Sequence, residues 1–177
     1  MKYAVIVADP PWHYGNRVND PTHRGRLPYD SMTIEDITAL PVQEQAADDA
    51  VLWLWTTNAH MEFAWGIARA WGFQPKTVLT WEKDKMGLGD WLRGQSEHAL
   101  LCVRGRPEWH LTNETTILRA PRLEHSRKPD RFYEMVERMS PGPYLELFAR
   151  RRRYGWDVWG NEAPEEAVSQ AVLDLAS

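Results

Sequence analysis

The sequence predicts a single α/β domain built on a mostly parallel β-sheet flanked by helices. Short apolar runs of the kind found in buried strands occur at residues 4–8 and 50–55. A helical segment at residues 59–71 separates the second run from a further strand at 76–81, and this strand–helix–strand order is typical of a parallel sheet. The length of 177 residues with 43% hydrophobic content is enough for one domain with a substantial core.

The remaining elements follow from cap and turn signals along the chain. Thr33 begins a capped helix, and Gly72 ends the helix at 59–71, for which Asn58 is interpreted as a cap. Pro129 begins another helix, in which apolar residues recur at helical spacing. Further strands are predicted at residues 97–104, 116–118 (a short edge strand), 144–149 and 156–162, loops at 13–28 and 83–94, and a short helical or disordered tail at 163–177.

Composition and charge exclude several classes of protein. The one cysteine, Cys102, rules out a disulfide within the chain and suits a reducing compartment. No apolar run reaches membrane-spanning length, and a strand that begins within the first residues leaves no room for a signal peptide. We therefore expect a cytoplasmic protein. The net charge of −4 argues against a nonspecific polyelectrolyte binder, so contacts with nucleic acid are expected from local basic patches.

The segment Asp9-Pro10-Pro11-Trp12 has the features of a catalytic turn. The prolines end the first strand because they lack the amide proton that a ladder needs, and they fix the backbone direction. Asp9 is thus held at the carboxyl end of a strand. Trp12 is predicted to offer a flat, rigid face, and either Trp12 or a nearby tyrosine is expected to stack on a base. The carboxylate of Asp9 and the carbonyl of Pro10 are two acceptors for the hydrogens of an exocyclic amine. An amine held by both hydrogens favours the pyramidal, reactive form, so we prefer this interpretation to that of a simple turn.

Other polar and aromatic residues carry weaker signals. The run from Arg150 to Arg153 is either a solvated loop or a phosphate-binding segment. If folding brings them together, that run is joined by Arg119, Arg122, Arg127, Lys128 and Arg131. No metal is predicted, because the spacing of His98, Cys102 and His110 does not match a zinc site. Most tryptophans are expected in the core, namely Trp53, Trp55, Trp65 and Trp71, whereas Trp91 lies in a loop and is the better candidate for an exposed ring.

Taken in order, these residues resemble the MT-A70 family of adenine N6-methyltransferases. The resemblance rests on Asp9-Pro10-Pro11-Trp12 and on Leu27-Pro28-Tyr29, Leu52-Trp53-Leu54-Trp55, Trp81-Glu82-Lys83, Glu97-His98, Lys128-Pro129-Asp130, residues 134–142 and Glu146-Leu147-Phe148-Ala149-Arg150. It implies a Rossmann-like class I methyltransferase domain at residues 1–162, in permuted order, with the catalytic motif before the cofactor-binding strand. It also implies S-adenosylmethionine as methyl donor and N6 of adenine as acceptor.

Carried over residue by residue, the resemblance implies a set of site residues. The catalytic residues are Asp9, Pro10, Pro11 and Trp12. The substrate-binding residues are His13, Tyr14, Tyr29, Lys83, Trp91, Glu97 and His98. The cofactor-binding residues are Asp9, Ser96, Glu146, Leu147, Phe148, Arg150, Arg153, Gly160, Asn161 and Glu162.

The sequence departs from the family pattern at positions that bear on the ligands. Ser96 stands where the family usually has lysine, so a cationic contact is absent or comes from elsewhere. Larger members have an acidic segment upstream of the first strand that covers the cofactor's adenine. Here that end is expected to be exposed, or closed by Glu162, by the tail or by a partner.

The resemblance favours DNA over RNA as substrate, because a small catalytic domain without RNA-binding extensions suits a prokaryotic or phage-like setting. RNA adenine methylation is the alternative within the same class. A homodimer or a partner subunit is a further expectation, and no membrane association is expected. The alternative from another class, a catalytically silent nucleic-acid-binding or scaffold subunit, is disfavoured by the intact Asp9-Pro10-Pro11-Trp12.

Overall fold

The computed structural model describes residues 1–13, 31–87, 91–123 and 127–160, which form a seven-stranded sheet with helices on both faces. The strands are β1 (Tyr3–Ala8), β2 (Ala46–Thr56), β3 (Gln74–Glu82), β4 (Ser96–Arg104), β5 (Ile117–Arg119), β6 (Tyr144–Leu147) and β7 (Trp156–Trp159). The helices are α1 (Ile34–Ala39), α2 (Val42–Gln45), α3 (Met61–Ala70) and α4 (Asp130–Met139). None of the helices in these ranges is long and apolar enough to cross a membrane.

The strand order is β5-β3-β4-β2-β1-β6-β7. Strand β1 pairs in parallel with β2 on one side and with β6 on the other, and β6 pairs in parallel with β7. Within this sheet β4 alone runs in the opposite direction, between β2 and β3. The predicted α/β class, the mostly parallel sheet and the permuted order are confirmed, and β5 lies at an edge as predicted. The expectation that β2 and β3 form a simple crossover needs correction, because they run parallel but β4 is inserted between them.

Side chains alternate between two apolar layers on the faces of the sheet. In β2, Leu52 and Leu54 pack with α1 and α3, whereas Trp53 and Trp55 pack with α4. Trp53, Trp55 and Trp71 are buried, as predicted, and Trp65 packs partly buried against the first layer. The strands covered on both faces therefore fix the height and direction of the residues that follow them.

Two of the three predicted helix-end residues are confirmed, and one is wrong. Thr33 caps α1 as expected, because its side-chain oxygen accepts a hydrogen bond from the amide of Asp36 at 3.1 Å. Gly72 follows α3 with a φ of +81°, the left-handed conformation that glycine adopts freely. The prediction for Asn58 is wrong, because the residue before α3 is His60 and the amide oxygen of Asn58 lies 2.7 Å from Nε2 of His98.

Candidate active site

The carboxyl ends of three neighbouring parallel strands carry the predicted site. Asp9 directly follows β1, Phe148 directly follows β6, and Gly160 directly follows β7. Because β2 continues the chain on one side of β1 while β6 and β7 lie on the other, the junction of β1 and β6 is a topological switch point. Ligands of open α/β sheets bind at such a point.

The backbone of the catalytic turn is fixed by hydrogen bonds on both sides. The amide of Asp9 donates to the carbonyl of Leu147 in β6, at 3.4 Å. The carbonyl of Pro10 accepts from the amide of Trp12, and that of Pro11 accepts from the amide of Met32, each at 2.9 Å. A carbonyl oxygen has two lone pairs, so that of Pro10 can accept a second hydrogen bond from a ligand.

The side chain of Asp9 belongs to a network of alternating charges. Lys128 Nζ lies 2.7 Å from Asp9 Oδ2 and 2.9 Å from Glu97 Oε2, and Lys83 Nζ lies 2.5 Å from Glu97 Oε1. Lys128 is 6% exposed and its Nζ also lies 5.0 Å from the ring centre of Trp55. Glu97, which follows Ser96, is thus paired with two lysines from other segments.

Burial and charge pairing oppose each other within this network, and pairing prevails. Burial disfavours the ammonium of Lys128, but the carboxylates of Asp9 and Glu97 outweigh it and hold its pKa above the ordinary value. Burial likewise disfavours the carboxylate of Glu97, but Lys128 and Lys83 outweigh it and lower its pKa. Both groups are therefore charged at neutral pH.

Trp12 is a packing residue in this structure. Its ring is 4% exposed, stacks on the ring of His60 at 5.2 Å between centres, and donates through Nε1 to the carbonyl of Trp55 at 3.2 Å. The prediction that Trp12 offers a free face for stacking a base is therefore wrong for this structure. Its indole instead anchors the turn that presents Asp9.

His60 ties the end of the catalytic turn to α3. Its Nε2 lies 3.0 Å from the carbonyl oxygen of His13, and its Nδ1 lies 3.1 Å from the hydroxyl of Thr57. A carbonyl only accepts, so Nε2 carries the proton. The predicted substrate residue His13 is exposed, with Nδ1 2.7 Å from the hydroxyl of Ser31.

The other predicted substrate residues lie in several different surroundings. Glu97 and Lys83 belong to the network around Asp9, whereas the imidazole of the neighbouring His98 lies 3.1 Å from the hydroxyl of Thr80. Burial lowers the pKa of His98, which Glu97 only partly offsets, so His98 is neutral at pH 7. Trp91 is 98% exposed, as predicted from its place in a loop. Tyr14 and Tyr29 lie outside the described residues.

Comparison with known proteins identifies the family of this chain. The MT-A70 family model matches residues 3–162. The chain belongs to the MT-A70 family. Its members transfer a methyl group from S-adenosylmethionine.

Similar members come from bacteria and eukaryotes. The chain is 31% identical over 94% of its length to the type II methyltransferase M.MunI of Mycoplasma, of which the match covers 80%. It is also 31% identical over 91% of its length to the human N(6)-adenosine-methyltransferase catalytic subunit METTL3, and 32% identical over 90% to an MT-A70-like N(6)-adenosine-methyltransferase of Arabidopsis thaliana. It spans only 28% and 24% of those two proteins.

Several residues predicted to bind the cofactor lie at the ends of β6 and β7 in this MT-A70 domain. Glu146 is buried and its Oε1 accepts a hydrogen bond from the hydroxyl of Tyr133 at 2.6 Å. Burial raises the pKa of Glu146, and the hydrogen bond from Tyr133 only partly opposes this. Leu147 is buried in the apolar layer and presents its carbonyl to Asp9. Phe148 has a φ of +63° and its ring lies edge-on to that of Trp159 at 5.3 Å.

A close backbone contact joins the two strand ends. A Cβ on Gly160 would lie 2.6 Å from the amide nitrogen and 2.7 Å from the oxygen of Ala149, so only glycine fits without a shift. The amide of Ala149 donates to the carbonyl of Trp159 at 2.9 Å. Phe148, with its left-handed backbone, is thus held against the segment that follows β7.

These residues fit S-adenosylmethionine. Arg153 packs its guanidinium 4.1 Å from the ring centre of Tyr133, and its Nε is a buried donor without a hydrogen-bond partner among the described residues. A carboxylate at a strand end, such as Glu146, suits a ribose hydroxyl, and a buried guanidinium donor suits a polar ligand.

The remaining predicted cofactor residues lie in different parts of the chain. Ser96 begins β4 and pairs with Glu82 of β3, so it lies three strand spacings from β6, about 14 Å. Its neighbour Glu97 belongs to the network around Asp9, and a contact of Ser96 with the cofactor stays a prediction. Arg150 follows Phe148 and Ala149 after β6. Asn161 and Glu162 lie outside the described residues.

Lys128, which contacts Asp9, was not among the predicted site residues. It appeared only as part of a basic segment and of the motif Lys128-Pro129-Asp130. Its contact with Asp9 joins residues 119 positions apart, and no local pattern reports such a pairing. The available signal was a lysine directly before a proline-started helix, whose first turn lies at the carboxyl edge of the sheet.

Proposed function

We propose that this chain transfers a methyl group from S-adenosylmethionine to N6 of adenine in nucleic acid, with DNA favoured over RNA. The observation that carries the proposal is the placement of the Asp9 carboxylate. It lies at the end of β1, beside the end of β6, and Lys128 binds only its Oδ2 in the described contacts. The other oxygen, Oδ1, is suited to accept a hydrogen bond from an exocyclic amine.

The proposed chemistry is orientation of a weak nucleophile. The lone pair of an adenine amine is delocalised into the ring, and two acceptors that take both hydrogens favour its pyramidal form. Asp9 Oδ1 and the carbonyl of Pro10 are those acceptors. When bound, the cofactor would supply an electrophilic methyl group on a sulfonium. Asp9 would stabilise the positive charge that develops on the amine as the nitrogen–carbon bond forms. The methyl–sulfur bond breaks in the same step and leaves a neutral thioether, and the amine proton is then lost to solvent.

Lys128 supports this assignment by holding the side chain of Asp9 in one position. A carboxylate held by a buried, hydrogen-bonded lysine has little rotational freedom, so its second oxygen keeps a fixed direction. The aromatic partner for the base is proposed to be Tyr29 or Trp91, since Trp12 is covered by His60. A stacked base contributes about 1–3 kcal/mol.

Two considerations support DNA. The bacterial relative M.MunI, named as a type II methyltransferase, is covered over 80% of its length, more than the other relatives named above. The eukaryotic relatives are named as adenosine methyltransferases, and the match covers 24% and 28% of their lengths. A duplex substrate would need its target base flipped, whereas a single strand would not.

The test is methyl transfer from labelled S-adenosylmethionine to adenine-containing DNA and RNA oligonucleotides, single and double stranded. We expect label in N6-methyladenine of DNA and none with Asp9→Ala. Transfer only to RNA would identify RNA, instead of DNA, as the substrate. Tight oligonucleotide binding without transfer to any substrate would favour a silent binding subunit. Sedimentation with and without substrate tests whether a homodimer or a second subunit is required.

A further inference from the structure

Three guanidinium groups meet at one carboxylate at the start of α4. Arg127 donates to Asp130 Oδ2 at 2.7 Å, and Arg153 donates to Oδ1 at 2.5 Å. Arg151 also bonds Oδ1. Burial opposes ionisation of Asp130, but Arg151, Arg153 and Arg127 outweigh it and lower its pKa. The cluster therefore holds three positive charges against one negative charge.

The arginines differ in how they face solvent. Arg153 is 16% exposed and stacks on Tyr133, so it belongs to the interior side of the cluster. Arg127 is 44% exposed and Arg151 is 34% exposed. A guanidinium has five N–H donors, so each of these two keeps donors for a second anion after binding Asp130.

The exposed pair lies at the rim of the catalytic crevice. Arg127 directly precedes Lys128, whose ammonium contacts Asp9. Arg151 follows the end of β6 by four residues. Arg131, one residue after Asp130, extends the basic surface towards β5 through a 3.5 Å contact with the carbonyl of Arg119.

Pairing with Asp130 alone does not account for this arrangement. Exposed ion pairs contribute about 0–1 kcal/mol, and three guanidiniums at one carboxylate also repel one another. The chain as a whole carries a charge of −4, so the local excess of positive charge is not a general property of its surface. Guanidinium groups bind phosphates in bidentate geometry, and two of them beside a catalytic crevice suit one phosphate.

We propose that Arg127 and Arg151, held in place by Asp130, bind a phosphate of the nucleic-acid strand beside the target adenine. The inference rests on the proposed function, because it names how the same substrate is held. The arginines would bind the carboxylate of the cofactor by the same chemistry as a phosphate. Measuring the affinity for the cofactor beside the affinity for the oligonucleotide distinguishes the two ligands.

The experiment measures oligonucleotide affinity against salt concentration for Arg127→Gln, Arg151→Gln and wild type. Because both arginines bind the same phosphate, losing one of them should reduce the magnitude of the slope of log K against log salt by up to about 0.7 for a single strand or 0.9 for a duplex. The matched control is Arg138→Gln, since Arg138 is an exposed arginine of α4 that pairs with Glu114 at 2.5 Å. Its slope should equal that of wild type. Calorimetric affinity for S-adenosylmethionine should be unchanged in all three variants.

Two outcomes would overturn the proposal. Unchanged slopes in both variants would leave the arginines as a solvated surface, and weakened cofactor binding with unchanged slopes would assign them to the cofactor carboxylate. Arg127→Lys and Arg151→Lys keep the charge, so they should keep the salt slope while lowering the affinity for the oligonucleotide severalfold. These variants also test the proposal if a glutamine variant folds poorly. Binding is measured without turnover, so a failed methyl-transfer assay together with reduced salt slopes in the glutamine variants would refute the proposed function and leave the phosphate site standing.

Discussion

Lys128→Met tests how far the carboxylate of Asp9, which we propose to be catalytic, depends on its buried partner. The ammonium contacts two carboxylates, Asp9 at 2.7 Å and Glu97 at 2.9 Å, and is 6% exposed. Removing one member of a buried ion pair costs about 3–5 kcal/mol. Glu97 keeps Lys83, and Asp9 is 19% exposed, so part of the penalty is relieved. We therefore expect a loss near the lower end, about 3 kcal/mol of unfolding free energy.

The loss should depend on pH with a definite sign. The pKa of Glu97 lies below its ordinary value of 4.5 in the folded protein, because the two lysines outweigh burial. A depressed carboxyl pKa contributes stability above the unfolded pKa, and this contribution is lost as the pH falls through the folded pKa. Lys128→Met removes part of that contribution. The difference in unfolding free energy between wild type and variant should have its full value at pH 7. It should decrease as the pH falls below about 4.5.

Urea unfolding followed by tryptophan fluorescence measures this difference. The matched control is Lys76→Met, because Lys76 is an exposed lysine of β3 and its loss should change stability by no more than about 0.5 kcal/mol. We also expect methyl transfer by Lys128→Met to fall about 100-fold, the order of magnitude for a misplaced catalytic group. A variant as stable as the control, with wild-type turnover, would refute the role assigned to Lys128.

Three shorter predictions follow from other contacts. His60→Phe keeps a ring against Trp12 but loses the donor to His13, so it should lose about 1 kcal/mol of stability and much of the turnover. His60→Gln, which retains a donor, should recover part of the turnover, and equal rates would argue against the donor's role. Gly160→Ala should weaken S-adenosylmethionine binding in calorimetry, whereas Gly66→Ala in α3, with no atom within 4 Å of the new Cβ, should not. Burial raises the pKa of the Cys102 thiol to about 12, so iodoacetamide at pH 8 should label it only after unfolding, and rapid native labelling would contradict its burial.

The sequence predicts local features of this fold better than long-range ones. The strand β1 and the turn after it were predictable, because an apolar run and two prolines act on neighbouring residues. The position of β4 was not, since the local pattern of a strand does not state its direction or its neighbours. The four-residue helix α2 is too short for a periodic signal.

The site divides in the same way. The strand ends carrying Asp9, Phe148 and Gly160 were predictable, because the family motifs are contiguous and parallel strands bring their carboxyl ends together. The covering of Trp12 by His60 and the pairing of Asn58 with His98 were not, because each depends on a residue from another element. Side chains that seemed available to a ligand or a helix cap from local sequence are bound elsewhere in the fold.

The charge network also predicts that its members are not equivalent when removed. Lys128→Met leaves the carboxylates of Asp9 and Glu97 without the cation between them. Asp9→Asn leaves Lys128 paired with Glu97, which is itself paired with Lys83, so every buried charge keeps a partner. We therefore expect Asp9→Asn to lose no more than about 1 kcal/mol of stability, far less than Lys128→Met, while losing methyl transfer at least as completely. Urea unfolding and initial rates on the same preparations measure both. If Asp9→Asn proved the less stable of the two, the network would be organised around the carboxylate rather than around the lysine.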